Sequence, residues 1–209
     1  MLQKGKNLGR SGQTRQIALE AAIGMLYEVG YSATTTISIA KRAGISRGAL
    51  MHHFGSKADI MTYVVEAVYQ EEIGIYRQRF EHITEPRAYM LALPETVWSV
   101  LSRPAGIAAL EVLQGSRSDT VLAIKLRPVQ QRIESDARSR VEQGIGAAAS
   151  LAFMRLVVSA CRGLSIRTMI EPGAKSEEAI ALLRKLIEIG LDTGTILLPE
   201  EMQRTPQRA

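Results

Sequence analysis

The chain has 209 residues, 46% apolar and only 5% aromatic, with 26 Lys/Arg against 21 Asp/Glu for a net charge of +5. This length and apolar content suffice to bury one large or two modest cores, which excludes a disordered or fibrous chain. An apolar load carried by Ala, Leu, Ile, Val and Met rather than by aromatics favours packed helices over sheets. The single Cys161 excludes an internal disulfide, and the polar stretch Met1 to Gly12 lacks the apolar core of a secretory signal, so a cytoplasmic protein is expected.

The positive surplus is confined to the start of the chain. Residues 1–63 hold eight cations (Lys4, Lys6, Arg10, Arg15, Lys41, Arg42, Arg47, Lys57) against Glu20, Glu28 and Asp59, and the other 18 basic and 18 acidic residues balance. That is the electrostatic footprint expected of a surface that meets a polyanion. Residues 1–13 read as a flexible basic arm. Lys4, Lys6 and Arg10 can lie along phosphates or enter a minor groove, or the arm can be a plain solubilising tail. From about Thr14 to Val29, Ala18, Ala21, Ala22, Met25, Leu26 and Val29 recur at helical spacing, and Gly30-Tyr31 fits a helix stop.

Residues 34–57 read as two short helices joined by a tight turn, a helix-turn-helix. Thr35 caps the first by accepting a backbone N–H, Ile39, Ala40 and Ala43 form its buried face, and Gly44 supplies a left-handed turn. Ser46 caps the second helix, whose Leu50, with Ile45, points inward. Arg47, Gly48, Ala49, Met51 and His52 are left facing outward as candidate groove readers, with His53 beside them. Thr34 to Thr36 and Ser56-Lys57 set helix N-termini at both edges, where free N–H groups and a lysine can grip phosphates. Thr35, Thr36, Ser46 and Lys57 complete the expected DNA-binding set.

Gly30-Tyr31, Thr34-Thr35, Ile39-Ala40, Ala43-Gly44-Ile45-Ser46, Gly48, Leu50, His52 to Phe54 and Ser56-Lys57 resemble the DNA-binding module of the tetracycline-repressor (TetR) family, over roughly residues 12–65. The chain departs from that pattern at Met51, where a tyrosine is usual, and at Ala49, where a threonine is common, so contacts carried over to those two positions are less secure. The resemblance implies a homodimer on a near-palindromic operator, released when a small molecule enters a helical domain.

Beyond Lys57 a helix is expected to about Arg79, with Ile60, Val64, Val65, Val68 and Ile75 inward. A second, from Pro86 to about Ser102, is apolar on nearly all sides and therefore buried, with Pro94 as a kink that can open space. Residues 105–115 form a short helix, and 118–143 a longer one bent at Pro128. The stretch 147–170 is apolar apart from Arg155, Ser159, Arg162 and Arg167. Arginines near its middle, each costing roughly 2.5–3.5 kcal/mol at a bilayer centre, argue against a membrane span. The last helix runs from Ser176 to about Leu197, and residues 199–209 read as frayed.

A ligand pocket is expected from Tyr89, Met90, Trp98, Phe153 and Met154, with Arg103, Glu111 and Gln114 as polar groups, and its occupant is expected to be largely apolar. Arg155 and Arg162 can face this pocket, solvent or a second subunit. A dimer interface is expected on the last helix, at Leu183, Leu186, Ile187, Gly190 and Gly194, the glycines four apart allowing close helix approach. No phosphate loop, HExxH, GxSxG or paired-carboxylate motif is present, and adjacent His52-His53 diverge by about 100 degrees on a helix and cannot share a metal, so neither catalysis nor a cofactor is expected.

The sequence thus predicts an all-α protein. Residues 1–60 form a three-helix helix-turn-helix domain and residues 61–209 a larger helical bundle for effector binding and dimerisation. The expected function is sequence-specific DNA binding in transcription regulation, as a repressor released from a palindromic operator by a ligand. The alternative is a helical ligand-binding or enzymatic protein whose N-terminal module no longer reads DNA.

Overall fold

The computed structural model describes residues 9–145, 151–171 and 173–196. Among these the regular elements are all helices: α1 Arg10–Ala33, α2 Thr36–Ala43, α3 Arg47–Phe54, α4 Lys57–Phe80, α5 Pro86–Leu101, α6 Pro104–Gly115, α7 Thr120–Ile145, α8 Leu151–Ile170 and α9 Ser176–Asp192. The first eight residues of the expected arm, residues 147–150 of the apolar stretch and the expected frayed tail lie outside the described residues. Residues 10–13, assigned above to the arm, form the first turn of α1, where Gly9 O accepts from Gly12 N and Gln13 N at 2.8 and 3.2 Å. None of the described helices is long and apolar enough to cross a membrane.

The chain divides into two compact units, and neither is continuous in sequence. The first comprises residues up to Val68 together with Ile107–Val129, and the second comprises Tyr69–Gly106 and Gln130 onward. A single cut near residue 60 misses the return of the chain to the first unit through α6 and the first half of α7.

In the first unit the core is built from Leu26, Ile39, Leu50, Ile60, Met61, Val64, Leu122 and Leu126, all fully buried. The end of α1 is fixed by an interruption. Gly30 leaves helical geometry at φ 76°, ψ 177°, a conformation open to glycine at little cost. The break removes the Tyr31 N–H from the helical ladder, and Glu111 Oε2 accepts it at 2.9 Å. Tyr31 is buried, and its hydroxyl donates to Asp119 Oδ2 at 2.6 Å. Its carbonyl accepts from Lys57 Nζ at 3.0 Å, while the same ammonium lies 4.0 Å from its ring centroid. Asp119 Oδ1 in turn accepts the Leu122 N–H at 2.9 Å and so caps α7. Burial, reinforced by the Asp119 carboxylate, pushes the Tyr31 phenol well above its ordinary range. The phenol hydrogen bond, more than any other contact, holds Asp119 below the usual carboxylate range.

In the second unit α5 packs against α8 and α9. Tyr89, Met90, Leu93, Val97, Phe153, Val157, Cys161, Ile180, Ile187 and Leu191 form one buried apolar cluster. Helix α5 continues through Pro94, which has no N–H to give to the ladder. The Cys161 thiol donates to the Pro94 carbonyl at 3.8 Å, and burial pushes that thiol up to about 12, which suits a small buried hydrophobe rather than a nucleophile.

A Cβ built on Gly115 would stand 2.3 Å from the Tyr31 ring, and the ring cannot yield without stretching its bonds to Glu111, Asp119 and Lys57. Gly115→Ala is therefore expected to destabilise the first unit by about 1–3 kcal/mol, the usual cost of overpacking. Thermal unfolding checks this, and an unchanged midpoint would show that Tyr31 is free to move.

Candidate nucleic-acid interface

The helix-turn-helix is built almost entirely by local capping. The Thr35 hydroxyl accepts from Ser38 N at 3.0 Å and the Ser38 hydroxyl from Thr35 N at 2.9 Å, a reciprocal box at the start of α2. At its end Gly44 takes φ 65°, ψ 27°, and Ile45 N donates back to Ala40 O at 3.1 Å, closing the turn. Ser46 Oγ then accepts from Ala49 N at 3.0 Å and starts α3. Ile39, Ala40, Leu50 and Phe54 are buried beneath the two helices, and α1 packs across both. On α3, Arg47, Gly48 and His52 are exposed, whereas Ala49, Met51 and His53 are partly buried. Thr35 and Ser46 are exposed and Thr36 is partly buried at the edges of this surface. The His52 and His53 rings stack at 5.6 Å.

The cations of this unit fall into two groups. Arg42 is committed to Glu28 through two bonds of 2.6 and 2.7 Å. Arg15 donates to His53 O at 3.3 Å and lies over the Phe54 and Tyr63 rings at 5.4 and 5.5 Å. Lys57, expected to grip phosphate, instead turns inward to Tyr31, and the loss of water around it lowers its pKa. The N-terminus of α4 is likewise already served, because Asp59 N donates to Ser56 Oγ at 3.2 Å and the Ser56 hydroxyl donates to Asp59, which also pairs with Lys125. Arg47 and Lys41 are exposed, and neither has a hydrogen-bond or ion-pair partner among the described residues. Among the described residues, these two unpartnered cations stand on α2 and α3.

The residues expected to line a pocket are divided between the two units. Tyr89, Met90 and Phe153 lie in the buried cluster of the second unit, with Trp98 and Met154 packed against it. Glu111 and Gln114 belong to the first unit, where Glu111 is taken by Tyr31 and Gln114 is exposed. Arg103 remains in the second unit, paired with Glu71. Arg155 meets Glu134 at 2.6 Å on the surface. Of the expected interface, Leu186 is 56% exposed, but Ile187 is buried and Leu183 packs against the cluster. Gly190 makes room for the chain's own Ile196, whose Cδ1 would lie 2.7 Å from an added Cβ, and Gly194, past the end of α9, is a turn residue at φ 67°. Those two glycines are explained within one chain.

Residues 18–64 match the family described as bacterial regulatory proteins, tetR family. The chain is 27% identical over 120 residues to an uncharacterised HTH-type transcriptional regulator of Mycobacterium tuberculosis, a match covering 57% of this chain and 62% of that one. It is 30% identical over 102 residues to the HTH-type transcriptional repressor KstR2 of Rhodococcus jostii, covering 49% of this chain and 50% of the repressor. These matches thus span between half and two thirds of the relatives' length. Among solved structures, the multidrug binding protein EbrR, complexed with imidazole, aligns with a TM-score of 0.63 at 16% identity over 95% of this chain and 99% of its own, a likeness of fold.

The Thr35 hydroxyl supplies the cap of the Ser38 N–H in the α2 box, so Thr35→Ala should lower stability by about 1 kcal/mol. Chemical denaturation is the check, with Thr35→Ser restoring most of the loss.

Proposed function

We propose that this chain is a transcriptional regulator of the TetR family, which binds a two-fold operator as a homodimer and acts in the cytoplasm on the cell's DNA. One observation carries the reading. Arg47 projects, exposed and unpaired among the described residues, from the first turn of α3, beside Gly48 and Ala49, which are small enough to let the helix approach a base edge. Arginine fits guanine O6 and N7 bidentately, and the exposed Thr35 and Ser46 mark helix starts that suit phosphate. Gly48, Ala49, Met51 and His52 complete the reading surface, and Lys57 serves as a structural group rather than a phosphate contact.

Dimerisation is supported by an apolar surface left open on the second unit. Leu182, Leu186 and Ile189 on α9 are 60%, 56% and 48% exposed at helical spacing, and Leu156 on α8 is 62% exposed. Pairing of α8 and α9 across a two-fold axis would cover them as a four-helix bundle. Repressor action resembles that of KstR2, and release by a small molecule held in the second unit is in keeping with the multidrug binding described for EbrR. A ligand acts only through its differential affinity for the DNA-competent and incompetent arrangements.

Selection of bound duplexes from a random pool is expected to yield a motif with two-fold symmetry and half-sites about 34 Å, or roughly ten base pairs, apart. Arg47→Ala is expected to lose about 1–3 kcal/mol of preference for that motif over unrelated duplex. No enriched motif, or a variant with unchanged preference, would overturn the assignment.

The exposed position of Leu186 lets a charge be added without burying it in the protomer. Leu186→Glu is expected to sediment as a monomer and to bind the full operator more weakly, whereas a dimer of wild-type strength would move the interface off α9.

A further inference from the structure

A charged cluster lies within the second unit, apart from the apolar residues from which a pocket was expected. Arg103 Nη1 donates to Glu71 Oε1 at 2.7 Å and its Nε to Val100 O at 3.2 Å. Its third nitrogen, Nη2, is buried without a hydrogen-bond partner among the described residues. A buried donor on a charged group that lacks an acceptor bears the full cost of its desolvation, more than a neutral group would, so this arrangement is costly unless another state of the protein supplies an acceptor. Arg140 bonds the Tyr69 hydroxyl, which also donates to Asp136 at 3.4 Å.

Glu72, beside Glu71 on α4, is partly buried. Loss of water, aided by the repulsion of Glu71, pushes its carboxyl up to about 7 against the pull of Arg103, Arg162 and Arg140. Tyr76, one helical turn further along α4, is acted on by Glu72, Cys161, Arg162 and Arg140. Cys161 belongs to the apolar cluster of Tyr89, Met90 and Phe153, against which Tyr76, Trp98 and Met154 pack. Tyr76, one turn from Glu72 on α4 and packed on the cluster, thus joins the charged groups to the apolar ones.

We propose that the second unit binds an amphipathic anion, its carboxylate or equivalent acidic group received by Arg103 Nη2 within the field of Arg140 and Arg162, and its apolar body lodged beside Tyr76 against the neighbouring cluster. This rests on the reading of the chain as an effector-responsive regulator and changes the expected effector from a largely apolar one to an acid. An acidic ligand supplies the acceptor that Arg103 lacks. A cationic ligand does not, and it meets three guanidinium groups against Glu71, already paired, and a Glu72 that is only partly ionised at neutral pH. Because Nη2 is covered, entry of the ligand requires side chains to move aside, which makes the bound arrangement differ from the free one as an effector must.

The sign of the pH dependence follows from Glu72. Below about pH 7 its carboxyl is neutral, and above that its negative charge, next along α4 to the Glu71 that holds Arg103, opposes an acidic ligand. Affinity for the acid should fall as pH rises from 6 to 8, and Glu72→Gln should abolish that fall.

The test uses the full chain and three fluorescent probes: 8-anilinonaphthalene-1-sulfonate as anion, N-phenyl-1-naphthylamine as its neutral counterpart with the same aromatic body, and rhodamine 6G as a larger aromatic cation. The anion is expected to bind one site per chain. Its affinity should drop about tenfold or more in Arg103→Met, the worth of a charge-assisted hydrogen bond, and several-fold in Arg103→Lys, which keeps the charge near Glu71 but loses the second nitrogen. The neutral probe should change little in either variant, which also reports that the fold is intact, and the surface control Arg155→Met should bind all three as wild type does. Anion binding that is absent, or indifferent to Arg103, overturns the proposal, as does tighter binding of the cation dependent on Glu72. Operator release separates the two readings. Arg103-dependent anion binding that leaves operator affinity unchanged keeps the acid site and removes the effector role. Release by the neutral probe or the cation, with no Arg103-dependent anion binding, keeps the effector role and removes the acid site.

Discussion

The first unit hangs on one residue. Tyr31 sits where Gly30 breaks α1, and its N–H, hydroxyl, carbonyl and ring each have a separate partner: Glu111, Asp119, Lys57 and the bare face of Gly115. The hydrogen bonds to charged groups are of the kind worth about 1.5–3 kcal/mol each when buried, less where Asp119 reaches solvent. Their combined effect is geometric. They fix the end of α1 to the end of α6 and the start of α7, so the unit that contains α2 and α3 is completed by a segment that returns from far along the chain. The orientation of α1, and of the two short helices packed on it, follows from that anchorage.

Charge in this unit must be divided between what holds the fold together and what remains for a partner. A surplus of cations creates a long-range field whatever their contacts, but a guanidinium bonded twice to Glu28, or an ammonium resting on a tyrosine ring, has to break those contacts before it can touch a phosphate. Arg42, Arg15 and Lys57 do internal work. Arg47 and Lys41 do not, and they stand on the two short helices.

The second unit solves a different problem. Its apolar cluster across α5, α8 and α9 is dense enough to bury Met90, Val157 and Cys161 completely, yet it borders arginines and carboxylates that are only partly matched. Glu72 illustrates the tension, since desolvation works against its charge while the arginines work for it. Polar groups held in such a balance respond to a new neighbour more readily than a dry core can, because one added charge tips their protonation or pairing.

The helical class, the helix-turn-helix and its caps are legible in the order of residues alone. Thr35 with Ser38, Gly44 with Ala40 and Ser46 with Ala49 act within three or four residues, and such local bonds form in the same way whatever surrounds them. The periodic apolar residues likewise set the inner faces of α2 and α4. Only the tertiary structure decided what Lys57, Glu111, Arg103, Arg155 and Gly190 do. The partner of Lys57 lies 26 residues away and that of Glu111 lies 80 away, and a long polar side chain takes whichever complementary group the packing brings within reach. Tyr31 was legible as a helix stop because Gly30 precedes it. That it is also the anchor of the unit could not be read, because Gly115 and Asp119 become its neighbours only when α6 and α7 fold back on α1.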